Sequence, residues 1–201
     1  MVKNVIFDFG QVLVHFEPEY MTAQYIEDEN DVGFAKEIIF DRLYWDRLDA
    51  GTISDAEVVD AVLKRLPERL HSDAEKVYYN WIYNIPEIDG MRNLIHSIRE
   101  KYGLKIYLLS NISRYFASHA EDIPILKEFD GCVFSSVCGF SKPDAEIFEH
   151  LCEKFGILPQ ETAFVDDNAD NVRAAERLGI RSFCFKKDVS ALSKWFDELI
   201  R

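Results

Sequence analysis

No apolar run in this 201-residue chain approaches the ~18 residues that a membrane-spanning helix requires. Basic charge is also scarce: 23 Lys and Arg stand against 36 Asp and Glu, for a net charge of −13. Such a surface repels phosphate backbones and anionic bilayers, which argues against nucleic-acid and membrane partners. An anionic small molecule would need a local attractor, either a metal ion or a lysine. A strand-like run begins by Val5, so no signal peptide is expected and the cytoplasm is the expected setting. Cys132, Cys138, Cys152 and Cys184 show no metal-ligand spacing and read as free thiols of a reduced compartment. His15, His71, His96, His119 and His150 form no H-x-x-x-H pair, which argues against zinc.

What the chain does have is core-forming material. Hydrophobic residues make up 48% and aromatics 13%, enough for one substantial domain or a core carrying one insertion. The rest is organised around Val5-Ile6-Phe7-Asp8-Phe9-Gly10-Gln11-Val12. A short apolar run rich in β-branched and aromatic residues reads as a buried parallel strand. Asp8 would then lie at its carboxyl end, where open α/β sheets bind ligands, with Gly10 letting the backbone turn close to one.

From about Glu17 to Tyr83 there are helix signals and no strand. Ser54-Asp55-Ala56-Glu57 and Ser72-Asp73-Ala74-Glu75 each read as a capping box, and Gly51 ends the helix bearing Tyr44, Trp45 and Arg47. Four helices of about three turns would make a small bundle. From Pro86 onward helix and strand alternate: strands at Leu104–Leu109, Cys132–Phe134, Thr162–Val165 and Arg181–Phe185, with Pro143 placed to open a helix. The expected fold is α/β, a Rossmann-like doubly wound parallel sheet over 1–16 and 86–201, with a helical cap over 17–85.

Polar groups recur at the expected strand ends: Asp8, Ser110-Asn111 and Asp166-Asp167, with Lys142 between the last two in Ser141-Lys142-Pro143. Each has a plainer reading. Asp166-Asp167-Asn168 suits a turn, Ser110-Asn111 a helix cap, Lys142 a solvated charge, and Tyr44 and Trp45 a bundle core. Found together and in this order, they describe a nucleophile, carboxylates for Mg²⁺, an anion cradle and a compensating lysine. That is the equipment of phosphoryl transfer through an aspartyl-phosphate.

The chain resembles the haloacid dehalogenase-like hydrolase superfamily along essentially its whole length. The matching motifs are F-D-F-G-Q-V at Phe7–Val12, L-L-S-N at Leu108–Asn111, S-K-P at Ser141–Pro143 and V-D-D-N at Val165–Asn168. D-x-G-x-V together with D-D-N-A-D-N at Asp166–Asn171 is similar to bacterial glucose-1-phosphate phosphatase-like members. The resemblance implies that the helical insertion is the superfamily's four-helix cap. It implies Asp8 as nucleophile and metal ligand, Asp167 as a side-chain Mg²⁺ ligand and a backbone carbonyl ligand at Gly10. It further implies that Ser110 and Asn111 hold phosphate, that Lys142 steadies both charges and that Asp166 supports the metal site.

One departure stands out. Most phosphatases of the superfamily carry an aspartate two residues after the nucleophile as general acid/base, and here that residue is Gly10. Leaving-group protonation would then fall to a cap side chain or His15, or else limit the enzyme to good leaving groups such as sugar 1-phosphates. The leading expectation is a Mg²⁺-dependent phosphatase of a small phosphorylated metabolite, a sugar phosphate fitting best. A 2-haloacid dehalogenase and a catalytically silent phosphometabolite-binding protein are the alternatives. The Asp166-Asp167 pair disfavours the dehalogenase, because two added carboxylates would repel a haloacid.

Overall fold

The computed structural model describes residues 1–200. Among them β1 (Asn4–Phe7) is followed by α1 (Pro18–Ala23), α2 (Glu29–Ile39), α3 (Arg42–Asp49), α4 (Asp55–Arg65) and α5 (His71–Asn80). Then come α6 (Met91–Tyr102), β2 (Lys105–Ser110), α7 (Arg114–Ser118), β3 (Gly131–Phe134), α8 (Ser135–Cys138) and α9 (Ala145–Phe155). The chain ends with β4 (Thr162–Asp166), α10 (Ala169–Arg177), β5 (Arg181–Cys184) and α11 (Val189–Leu199). All strand pairs are parallel in the order β3-β2-β1-β4-β5, with β1 at the centre.

Strand side chains alternate between faces, so one sheet separates two cores. Val5 and Phe7, Ile106 and Leu108, and Ala163 and Val165 point to one side, where they meet Leu94, Ile95 and Ile98 of α6 and Leu192 and Phe196 of α11. Ile6, Tyr107, Leu109 and Phe164 point to the other, against Ile147, Phe148 and Leu151 of α9 and Ala174 and Ala175 of α10. Both faces are covered, which is why the strands read as unbroken apolar runs and not as alternating ones.

Register positions the site. Phe7 pairs with Leu108 on one side and with Val165 on the other. The next residues beyond that row are Asp8 and Asp166, on adjacent strands at the point where chain order reverses. There the strand ends splay and leave a crevice for ligands.

The helical segment lies between β1 and β2, and its two connections run side by side. Val14 bridges antiparallel to Glu87, His15 N–H donates to Pro86 O at 2.8 Å, and Ile88 N–H donates to Leu13 O at 2.9 Å. Aromatic rings carry the packing across this neck. Trp81 stacks on Phe116 at 5.8 Å, Phe116 meets Phe9 at 4.7 Å, and Phe16 meets Trp45 and Trp81 at 5.7 and 5.4 Å.

Three local expectations need correction. The segment holds five helices among the described residues, α1 being only six residues long. The capping box at Ser54 is present, with Ser54 and Glu57 each bonding the other's backbone N–H. The one at Ser72 is not. Pro67 starts a 3-10 turn at Glu68–Leu70 that runs directly into α5, so Ser72 lies inside a helix already under way. Pro143 follows a cis peptide and precedes the cap residue Asp144, so it does not open α9.

Candidate active site

Asp8 emerges from the central strand with its N–H donating to Val165 O at 3.0 Å. Its carboxylate lies 2.8 Å from Lys142 Nζ, which also lies 2.7 Å from Asp166 Oδ2. The lysine side chain is only 2% exposed. The solvated reading of Lys142 is therefore wrong. Burial opposes its charge, but Asp8 and Asp166 outweigh burial and hold it above the ordinary lysine range. Its backbone is clamped as well: Asn111 Nδ2 donates to Lys142 O, and Lys142 N–H donates to Asn111 Oδ1, both at 2.8 Å. This exchange uses the Asn111 side chain to fix the lysine loop.

Asp166 is fully buried and its oxygens are taken up within the protein. Asn168 N–H donates to Oδ1 at 2.8 Å, Asn171 Nδ2 reaches both oxygens at 3.1 Å, and Lys142 takes Oδ2. Asn171 belongs to the D-D-N-A-D-N run, but nothing in one sequence says that its amide turns back to Asp166. Asp167 is half-buried, and burial, with Asp166 beside it, pushes its carboxyl up. Burial also pushes Asp8 up to about 6, against the opposing pull of Lys142 and with the help of Asp166.

Ligand atoms of Asp8, Asp166 and Asp167 all lie within 4.8 Å of one another. One ammonium among three carboxylates leaves two negative charges, which a single divalent cation would neutralise. The donors are all oxygens, and with Asp166 engaged elsewhere the ones facing the cavity are Asp8 and Asp167, with the Gly10 backbone beside them. That set fits Mg²⁺, a hard cation that takes carboxylate and carbonyl oxygens and retains several waters.

These groups border a cavity of about 240 Å³. Ser110, Asn111 and Lys142 form part of its floor, and Phe16, Arg42, Trp45, Asp49 and Trp81 come from the helical side. Trp45 is thus both core and wall: it is buried, its Nε1–H donates to Ile39 O at 2.6 Å, and one face borders the cavity. Tyr44 does not border it and instead lies under the Arg65 guanidinium. His15 is also outside the lining and sits 3.8 Å from Glu17.

Gly10 does not have the conformational role expected of it. The left-handed residue of this turn is Gln11, at φ 59°, and a Cβ on residue 10 would meet Phe16 Cβ at an ordinary 3.8 Å. Neither backbone nor space demands glycine there.

A family model described as haloacid dehalogenase-like hydrolase matches residues 2–179. The chain is 27% identical over 197 residues to the D-ribitol-5-phosphate phosphatase of Bacteroides thetaiotaomicron, covering 91% of each chain. A Porphyromonas gingivalis structure described as a predicted HAD-like family hydrolase superposes with a TM-score of 0.71 at 25% identity, covering 98% of both chains. A Bacteroides thetaiotaomicron HAD family enzyme, solved in complex with magnesium and inorganic phosphate, superposes with a TM-score of 0.69. It is 24% identical, with 96% of this chain and 99% of that one covered.

Proposed function

The chain belongs to the haloacid dehalogenase-like hydrolases, and on that premise we propose that it is a Mg²⁺-dependent phosphatase of a small phosphorylated sugar or polyol. The observation that carries this reading is the buried Asp8–Lys142–Asp166 chain beside Asp167, at the floor of the cavity. The similarity to a D-ribitol-5-phosphate phosphatase supports the choice of a polyol or sugar phosphate. Segments 1–16 and 86–201 serve in this reading as the catalytic core, and 17–85 as the cap that selects substrate.

Asp8 is the nucleophile. Its pKa of about 6 leaves it ionised at neutral pH, and burial makes that charge less solvated and more reactive. Its oxygen bonds phosphorus as the ester oxygen departs with the bonding pair, and water then hydrolyses the acyl phosphate. Lys142 places its ammonium where charge builds on the phosphoryl oxygens, and Asp166 keeps it there. The Ser110 hydroxyl donates to the phosphoryl group. Because the Asn111 amide is occupied with Lys142, the contribution of Asn111 comes from its backbone. Asp8, Asp167 and the Gly10 carbonyl hold Mg²⁺, which when bound neutralises phosphoryl oxygens as a Lewis acid.

The function is tested by phosphate release from a panel of sugar and polyol phosphates, with Mg²⁺ and with chelator, set beside chloride release from a 2-chloro acid. Mg²⁺-dependent phosphate release is expected; halide release without metal would replace this reading with the dehalogenase. Metal binding can be checked apart from turnover. Mg²⁺ should raise Tm of the natural protein, by the mass-action stabilisation of any ligand that binds only the folded state. Asp167→Ala should lose that rise together with activity. A variant with an intact Mg²⁺ shift would show that Asp167 is not a ligand.

A further inference from the structure

The cap end of α3 brings one more carboxyl to the cavity. Asp49 borders it, and its Oδ1 is buried without a hydrogen-bond partner. Buried carboxylate oxygens are nearly always paired, so an orphan facing a ligand cavity requires explanation. Its position is fixed by the core. Ser135 Oγ donates to the Asp49 backbone carbonyl at 2.5 Å, and the same oxygen accepts from Ile112 N–H, two residues past the end of β2. Two residues on, Gly51 has φ 69°, and a Cβ there would come within 2.8 Å of Ser136 O. The end of α3 is thus pressed against α8 at a spot only glycine permits, and that seam fixes the backbone from which the Asp49 side chain reaches the cavity.

We propose that Asp49 is the general acid that protonates the leaving-group oxygen, the task left without a side chain at Gly10. This rests on the phosphatase reading. In the first half-reaction the Asp8 oxygen–phosphorus bond forms, the phosphorus–ester oxygen bond breaks, and the Asp49 proton goes to the departing oxygen with its electron pair. In the second, the Asp49 carboxylate takes a proton from water as the water oxygen bonds phosphorus and Asp8 leaves. Alcohol and phosphate are released, and both aspartates return to their starting states.

The surroundings keep the acid protonated. Burial pushes the Asp49 carboxyl up to about 7; Arg42 and Lys142 pull it down, while Asp46 on the same helix and Asp8 below raise it. Arg42 is itself engaged by Asp46 at 2.5 Å. A carboxyl that titrates near the working pH can both give and recover a proton.

The test is the leaving-group dependence of Asp49→Asn in the full-length, Mg²⁺-loaded protein. On phenyl phosphate and on the better-hydrolysed sugar 6-phosphate, kcat/KM should fall ~10²–10⁴-fold, the usual worth of a positioned acid. On p-nitrophenyl phosphate, whose leaving group needs no proton, the fall should be far smaller. The steep preference for 1-phosphates expected from Gly10 should therefore appear only in the variant. The natural enzyme should lose activity as pH rises through about 7, and the variant should lack that limb. Adding Gly10→Asp to Asp49→Asn should recover much of the phenyl phosphate rate, since a Cβ fits at residue 10. Equal losses on both aryl esters, or none, would overturn the assignment while leaving the phosphatase reading intact. A natural protein that releases no phosphate from any ester would overturn both.

One equilibrium measurement needs no turnover. A carboxyl with a raised folded-state pKa favours folding at low pH, and that advantage is lost as pH rises from about 4 through about 7. In chelator, Asp49→Asn should therefore gain Tm relative to the natural protein between pH 5 and pH 8. A difference that does not change with pH would place Asp49 among ordinary, already ionised aspartates and overturn the proposal.

Discussion

Asp8→Asn is expected to reduce phosphate release at least ~10⁴-fold and to leave the protein folded, an effect typical of losing a covalent nucleophile. The substitution keeps the shape of the side chain but replaces the charged, nucleophilic carboxylate with a neutral, weakly nucleophilic amide. No other carboxylate can stand in. Asp166 has both oxygens engaged by Lys142, Asn168 and Asn171, and Asp167 lies on the adjacent strand end as a metal ligand in this reading. Stability should move the other way. Burial raises Asp8 to about 6, so its ionised form opposes folding above that pH, and the favourable contribution of its protonated form is lost as pH rises from about 4 to 6. In chelator at pH 7.5 the variant should melt no lower than the natural protein, with the gap closing by pH 5. Lys142 keeps Asp166 as a partner, so no unpaired ammonium is created. Phosphate release comparable to the natural protein would remove Asp8 from the mechanism.

Much of this was legible in sequence because buried parallel strands leave a plain signature. Val5-Ile6-Phe7 and Ala163-Phe164-Val165 have no polar face, and the first polar residue after each run marks the crevice. Where a side chain beyond that point turns was not legible. Asn111 is expected to help hold phosphate, but the sequence does not show that its side-chain amide closes a two-bond exchange with the Lys142 backbone, 31 residues away. Asn171 reaches back five residues to Asp166, a bond that depends on where α10 begins. Asp49 was hidden for a different reason. On α3 it is one of two acids, three residues after Asp46, and only the docking of α3, with Gly51 against Ser136, brings it to the cavity. Local chemistry also misled where a stronger local signal lay just upstream, as Pro67 did for Ser72.

Lys142→Ala separates the two roles of the buried cation, and both losses should be large. Truncation leaves Asp8 and Asp166 facing each other in a buried site, without the ammonium 2.8 and 2.7 Å from them. Breaking a buried pair by removing one partner costs about 3–5 kcal/mol, which for a chain of this size lowers Tm on the order of 10 °C. Removing a charge aimed at the developing oxyanion should reduce kcat a further ~10²–10³-fold even in the folded fraction. Circular dichroism melting and single-turnover rates measured below the melting range keep the two effects apart. The stability deficit should shrink at acid pH, where Asp8 takes up a proton and stands in for the missing charge. The double variant Lys142→Met with Asp166→Asn makes the distinction sharp. It removes both members of the pair and restores side-chain volume, so it should recover much of the lost Tm, because a buried pair contributes little net stability over a neutral replacement. It should recover none of the rate, because nothing then neutralises the phosphoryl oxygens from that side. If the double variant regained turnover along with stability, Lys142 would be only a packing and charge-balance element. If Lys142→Ala melted normally but failed in turnover, the energetic coupling between Lys142 and the two carboxylates would be weaker than their spacing implies.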